Sequence, residues 1–192
     1  MVGSLPGLLM DTSYLLPAAG IRVEGVPDDV LRTARDAGHE TWVCDISVFE
    51  VLAEGAKFAA SGKVDEERLE IAVQAILGDE NLRKVRAYEP EVVRTSISLR
   101  RLHRDFVDCL IIASALEHCE GLVSEEDFRQ EPGLLRFIEE RRHGFRLLTA
   151  KDLAREARRG GKAGTWPTDG AVAGAKPEIK VHIPKAVFEG TA

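Results

Sequence analysis

The run Leu8-Leu9-Met10-Asp11-Thr12-Ser13 holds a contradiction that decides how this 192-residue chain is read. Three apolar residues in a row suit a buried strand, yet the run stops on an acid and resumes with Tyr14, Leu15 and Leu16. A buried strand followed by a turn or helix start accommodates both halves, with Asp11 at the strand's carboxyl end. The same conflict recurs in Phe106-Val107-Asp108-Cys109-Leu110-Ile111-Ile112-Ala113, where a carboxylate interrupts the least polar helical stretch of the sequence. An unpartnered buried carboxylate costs several kcal/mol or more, so each of these acids needs a partner or a job.

Outward from these two runs, apolar spacing predicts strands at residues 8–10, 41–44, 121–124 and 145–148. Helices are expected at about 30–38, 47–61, 65–77, 90–102, 106–116 and 132–142. Strands alternate with helices. That order predicts an α/β fold: a three-layer α/β/α domain around a central, mostly parallel sheet. From residue 160 to residue 176 the composition turns to Gly, Ala and Pro, which reads as a linker or loose tail. The expected division is a core domain over residues 1–158 and an extension over 159–192. One late edge strand is expected around residues 178–183, where apolar and charged residues alternate.

Composition sets limits. Hydrophobic residues make up 44% and charged residues 30%, enough for a real core. The net charge of −6, from 32 acids against 26 Lys and Arg, excludes a basic nucleic-acid coat. No apolar run approaches the roughly 18 residues that a bilayer span requires. No basic residue precedes the short apolar stretch near the N-terminus, so nothing there reads as a secretory signal. Three cysteines, Cys44, Cys109 and Cys119, form no CxxC pair, and they fit reduced thiols of a cytoplasmic protein.

Each acid has a plain structural role open to it. Asp11 suits a helix cap, and Asp108 is one turn from Arg104. Ser47-x-x-Glu50 fits a capping box, while Asp105 is placed as an N-cap. Against these stands one common explanation. Ligands gather at the carboxyl ends of parallel strands, and a hard divalent cation there would offset several carboxylates at once.

In order and spacing these residues resemble the PIN domain, the fold of the VapC-type toxin ribonucleases. Leu8-Leu9-Met10-Asp11-Thr12-Ser13 is similar to that family's opening strand with Asp. Ser47-Val48-Phe49-Glu50-Val51-Leu52 resembles its helical Glu, with Glu54-Gly55-Ala56-Lys57 similar to an archaeal branch. Asp108-Cys109-Leu110-Ile111-Ile112-Ala113-Ser114-Ala115-Leu116 resembles its Asp-headed, Ala-rich helix. Leu122-Val123-Ser124-Glu125-Glu126-Asp127-Phe128 stands where the family has a strand ending in Thr-x-Asp, and it departs from that pattern. Its register puts Glu126 at the acidic position with Asp127 beside it. The resemblance covers roughly residues 8–149.

It implies a metal-dependent endoribonuclease that hydrolyses RNA phosphodiester bonds, either as a toxin or in RNA processing. Asp11, Glu50, Asp108 and Glu126 would hold Mg²⁺ or Mn²⁺, Asp127 would be the rival fourth acid, and Ser13 and Ser124 would orient water or carboxylates through their hydroxyls. Single-stranded or loop RNA is the implied substrate. An antitoxin protein and a second copy in a homodimer are the implied partners, and no membrane is involved. Two other classes compete: an inactive PIN-like scaffold, kept open by the irregular fourth motif, and a phosphotransfer receiver, for which Asp45 is the only acceptor available. A haloacid-type hydrolase needs Asp-x-Asp, but residue 13 is Ser.

Overall fold

The computed structural model describes residues 7–160 and 180–181. The elements run in the order β1 (Gly7–Met10), β2 (Arg22–Val23), α1 (Val30–Asp36), β3 (Glu40–Cys44), α2 (Asp45–Ala60), α3 (Glu66–Gly78), β4 (Leu82–Val85), α4 (Pro90–Leu99), α5 (Phe106–His118), β5 (Gly121–Val123), α6 (Pro132–Arg141), β6 (Arg146–Leu148), α7 (Ala150–Gly160) and β7 (Lys180–Val181). Short 3₁₀ turns at Thr12–Tyr14, Leu16–Ala19 and Phe128–Gln130 fill the gaps.

Five strands make one parallel sheet in the order β4-β3-β1-β5-β6. The expected α/β/α class with a parallel sheet is therefore the observed one. Side chains alternate across each strand, and the alternation builds two cores. Leu9, Cys44 and Leu122 face the apolar residues of α4, α5 and α6. Val43 and Leu82 face α2 and α3, while Leu8, Met10 and Val123 face α1 and α7. Helix α5 carries no polar stripe because Cys109 and Ile111 to Leu116 are all buried, between α4 and the sheet.

Close approach at the centre depends on one glycine. A Cβ on Gly121 would stand 2.7 Å from the Arg146 carbonyl oxygen of the neighbouring strand. Outside the main sheet, β2 and β7 pair in parallel, Arg22 with Lys180 and Val23 with Val181. This is the part of the late strand expected at 178–183 that falls within the described residues.

Candidate active site

The order of the sheet places the crevice. From β1 the chain works outward through β3 to β4, then returns to the other flank of β1 with β5 and β6. Open α/β sheets bind ligands at such reversals, beyond the carboxyl ends of the strands. Asp11 follows β1 and Ser124 follows β5, so both stand at this point. The Asp11 amide donates to the Val123 carbonyl at 3.0 Å. The Ser124 hydroxyl donates to Asp11 Oδ2 at 2.8 Å, and its oxygen accepts from the Glu126 amide at 3.0 Å. Asp11 Oδ1 takes the Thr12 amide at 2.7 Å. The capping role open to Asp11 is thus real, and it occupies only one of the two carboxylate oxygens.

Helix α2 brings Glu50 to the same place. The Thr12 hydroxyl donates to Glu50 Oε2 at 2.5 Å. A capping box with Ser47 does not form. The helix starts two residues earlier, at Asp45, so Ser47 lies inside its first turn and its buried hydroxyl has no partner among the described residues. Asp108 sits in the first turn of α5, where Asp105 is the N-cap and accepts from the Val107 amide at 2.8 Å. The partner of Asp108 is not Arg104. His103, only 8% exposed, faces Asp108 Oδ2 through Nε2 at 3.0 Å and Glu131 Oε2 through Nδ1 at 2.9 Å.

The acids feel one another. Burial first, then the charge of Asp108, pushes Asp11 up to about 6, and the charge of Glu126 adds to this. Glu50 is pushed up to about 7, first by burial and then by Asp11, Asp108 and Asp105, against the Thr12 hydrogen bond. His103 is raised to about 9, chiefly by its bond to Asp108 and also by Glu131, against the effect of burial. Residues far apart in sequence therefore share one acidic field.

Of the remaining expected residues, Glu126 lies within that field. Asp127 is exposed and accepts from Gln130 Nε2 at 2.8 Å. Glu125 points elsewhere, accepting from the Tyr14 hydroxyl at 2.8 Å and from the Ala150 amide at 3.0 Å, which ties the Asp11 turn to the start of α7. Ser13 has a buried hydroxyl that bonds to none of the carboxylates. Asp45, the acceptor that a receiver-like reading needs, takes the Ala87 amide at 2.8 Å. Thr12, His103 and Glu131 are the members that the sequence did not single out. The one signal for His103 was its position just ahead of the Asp108 helix.

Among the described residues, no three His, Cys, Asp or Glu side chains converge tightly enough to enclose an ion as they stand. Three of the carboxylates are turned toward protein donors instead: Asp11 to Ser124 and Thr12, Glu50 to Thr12, Asp108 to His103. The donor set still suits a hard divalent cation in its chemistry, since it consists of oxygen donors that burial first, and then mutual repulsion, makes costly to ionise at Asp11 and Glu50.

No known family's sequence profile matches the chain, and no curated protein matches it. Among solved structures, a chain of VapBC2 from Rickettsia felis bound to a DNA fragment from their promoter does match. The two are 15% identical, the match covers 74% of this chain and 98% of that one, and the TM-score is 0.50. At this identity the likeness shows the fold alone, PIN-like and α/β/α. No described helix is long and apolar enough to cross a membrane.

Proposed function

We propose that this chain is a metal-dependent endoribonuclease of PIN type. The observation that carries the reading is the shared field of Asp11, Glu50, Asp108 and Glu126, delivered by four separate segments to the carboxyl ends of the central strands. These four would hold Mg²⁺ or Mn²⁺. A divalent ion lowers the pKa of its bound water and offsets the charge that develops on the attacked phosphate. Ser124 holds Asp11, and Thr12 joins the Asp11 turn to Glu50, so both hydroxyls orient carboxylates. Glu126 is favoured over Asp127 as the fourth acid because its charge acts on Asp11.

An anionic substrate must still approach an acidic cleft, and the turn before α5 supplies the means. Arg101 and Arg104 are exposed and make no ion pair among the described residues. Phe106 is 43% exposed beside Asp105, and Phe49 is 63% exposed beside Glu50. Cations for phosphates and open rings for bases are what an unpaired strand needs. The reading therefore extends to single-stranded or loop RNA in a cytoplasmic setting, as toxin or processing enzyme, with a second copy and an antitoxin as partners. The likeness to a VapBC2 chain supports the last of these.

The test is cleavage of a mixed single-stranded RNA with Mg²⁺ or Mn²⁺ against an EDTA control, using wild type, Asp11→Asn and Asp108→Asn. Wild type cuts only with metal, and both variants lose cutting. A second reading, an inactive PIN-like scaffold, draws on the carboxylates being turned to protein donors and not closed on a common point. Wild-type protein that binds RNA and never cuts it, with either metal, would establish that reading.

A further inference from the structure

We infer that His103 is a positioning residue for Asp108, the middle of a chain Glu131–His103–Asp108 that aims the Asp108 carboxylate at a divalent cation; this rests on the nuclease reading above. The carrying observation is geometric. Both ring nitrogens of one buried imidazole face carboxylate oxygens, Nε2 to Asp108 Oδ2 at 3.0 Å and Nδ1 to Glu131 at 2.9 and 3.0 Å. The ring has little freedom to turn. The edge-to-face contact with buried Phe128 has its centroids 5.8 Å apart. The backbone is held as well, since the His103 carbonyl accepts from Arg100 Nη1 at 3.2 Å.

A hydrogen bond to one oxygen of a carboxylate fixes the direction of the other. Asp108 Oδ2 is tethered, while Oδ1 accepts no hydrogen bond among the described residues. Metal-ligating carboxylates are commonly oriented in this way by a group behind them, and loss of such a group typically costs about 10–100-fold in metal affinity. The chain also joins two segments of the site. Phe128 and Glu131 belong to the stretch that carries Ser124 and Glu126, so the ring links that stretch to the first turn of α5.

Two variants separate positioning from packing. His103→Gln can place its amide nitrogen near the position of Nε2, which keeps the donor to Asp108 and drops the one to Glu131. His103→Asn can do the reverse. The measurement is isothermal titration of the full chain with MnCl₂, at a temperature where unfolding curves show each variant folded. RNA cleavage is followed in parallel, and Glu131→Gln serves as a milder variant.

The expected result is a Kd for Mn²⁺ raised about tenfold or more in His103→Asn, less than threefold in His103→Gln, with cleavage losing kcat and keeping KM. Equal Mn²⁺ affinity in wild type and His103→Asn would overturn the inference and leave His103 a purely structural ion pair. If His103→Asn does not fold, the comparison moves to Glu131→Gln, and a wild-type Kd there overturns the chain. Wild type that neither binds Mn²⁺ nor cuts RNA would instead remove the nuclease reading, and this inference with it.

Discussion

Replacing Glu50 by Gln removes one charge from the acidic field and keeps an amide oxygen for the Thr12 hydroxyl, which now reaches Glu50 at 2.5 Å. Burial and the neighbouring acids push this carboxyl up to about 7. The folded state therefore binds the proton more tightly than the unfolded chain does. Stability is lost as pH rises from the ordinary carboxyl range through about 7, and the loss is complete above that. A displacement of this size corresponds to about 3 kcal/mol against the ionised form. Glu50 is part exposed, and solvent screening brings this down to about 1–2 kcal/mol.

In EDTA at pH 8, Glu50→Gln should thus be more stable than wild type by about 1–2 kcal/mol, a rise in Tm of roughly 2–8 °C for a domain of this size. Near pH 4 the difference should vanish. Urea unfolding at the two pH values measures it directly. A Glu50→Gln protein that is less stable at pH 8, or whose gain is the same at both pH values, would refute the shared field and make Glu50 an ordinary partner of Thr12. Saturating Mg²⁺ should raise the Tm of wild type by mass action and raise that of the variant less.

Other outcomes follow from the same geometry. Without metal, wild-type stability should fall steadily from about pH 5 to pH 9. The raised Asp11 and Glu50 withdraw stability as they ionise, and the stabilisation from raised His103, present below its ordinary range, is lost as pH climbs through about 9; a flat profile in thermal unfolding would contradict all three. Gly55→Ala puts a Cβ 2.3 Å from a methyl of buried Leu69, and overpacking of about 1–3 kcal/mol should outweigh the roughly 1 kcal/mol gained in helix propensity. Leu153→Ala should cost about 2–5 kcal/mol in urea unfolding, because this fully buried side chain anchors α7. A chain ending at Arg159 gives up the pairing of β7 with β2 and keeps all five strands of the main sheet, so it should still unfold cooperatively and bind Mn²⁺. Gradual unfolding would move the proposed domain boundary toward the C-terminus.

The elements that were legible in the sequence are those with one kind of environment along their length. Strands β1 and β5 are apolar throughout, β3 ends in the apolar run Trp42-Val43-Cys44, and most of α5 is buried, so period and length sufficed. Strand β4 was not seen. It lies at the sheet edge as Leu82-Arg83-Lys84-Val85, with only its two ends buried and its two cations in solvent. Helix α7 was missed because its anchors are few: Ala150 and Leu153 are buried and most of the rest is charged.

Within the site, Asp11 and Asp108 stood out because each violates the polarity of its own segment. Their partners did not. Whether Asp108 meets Arg104 or His103, and whether Glu50 meets Ser47 or Thr12, depends on where helices begin and how the ring is enclosed. Neither is written in local spacing. Thr12 and Glu50 are 38 residues apart, and only the packing of α2 beside β1 joins them.

The central position of β1 also governs when the site can exist during synthesis. Strands β1, β3 and β4 can pair once residue 85 has emerged, but the other edge of β1 stays open until residues 121–123 arrive. Only then does Asp11 gain the Val123 carbonyl and the Ser124 hydroxyl, and only then does Glu126 stand beside it. Pairing across more than a hundred residues is a late and slow event in folding. A nascent chain on the ribosome, surrounded by RNA, therefore carries the acids long before it carries the cluster.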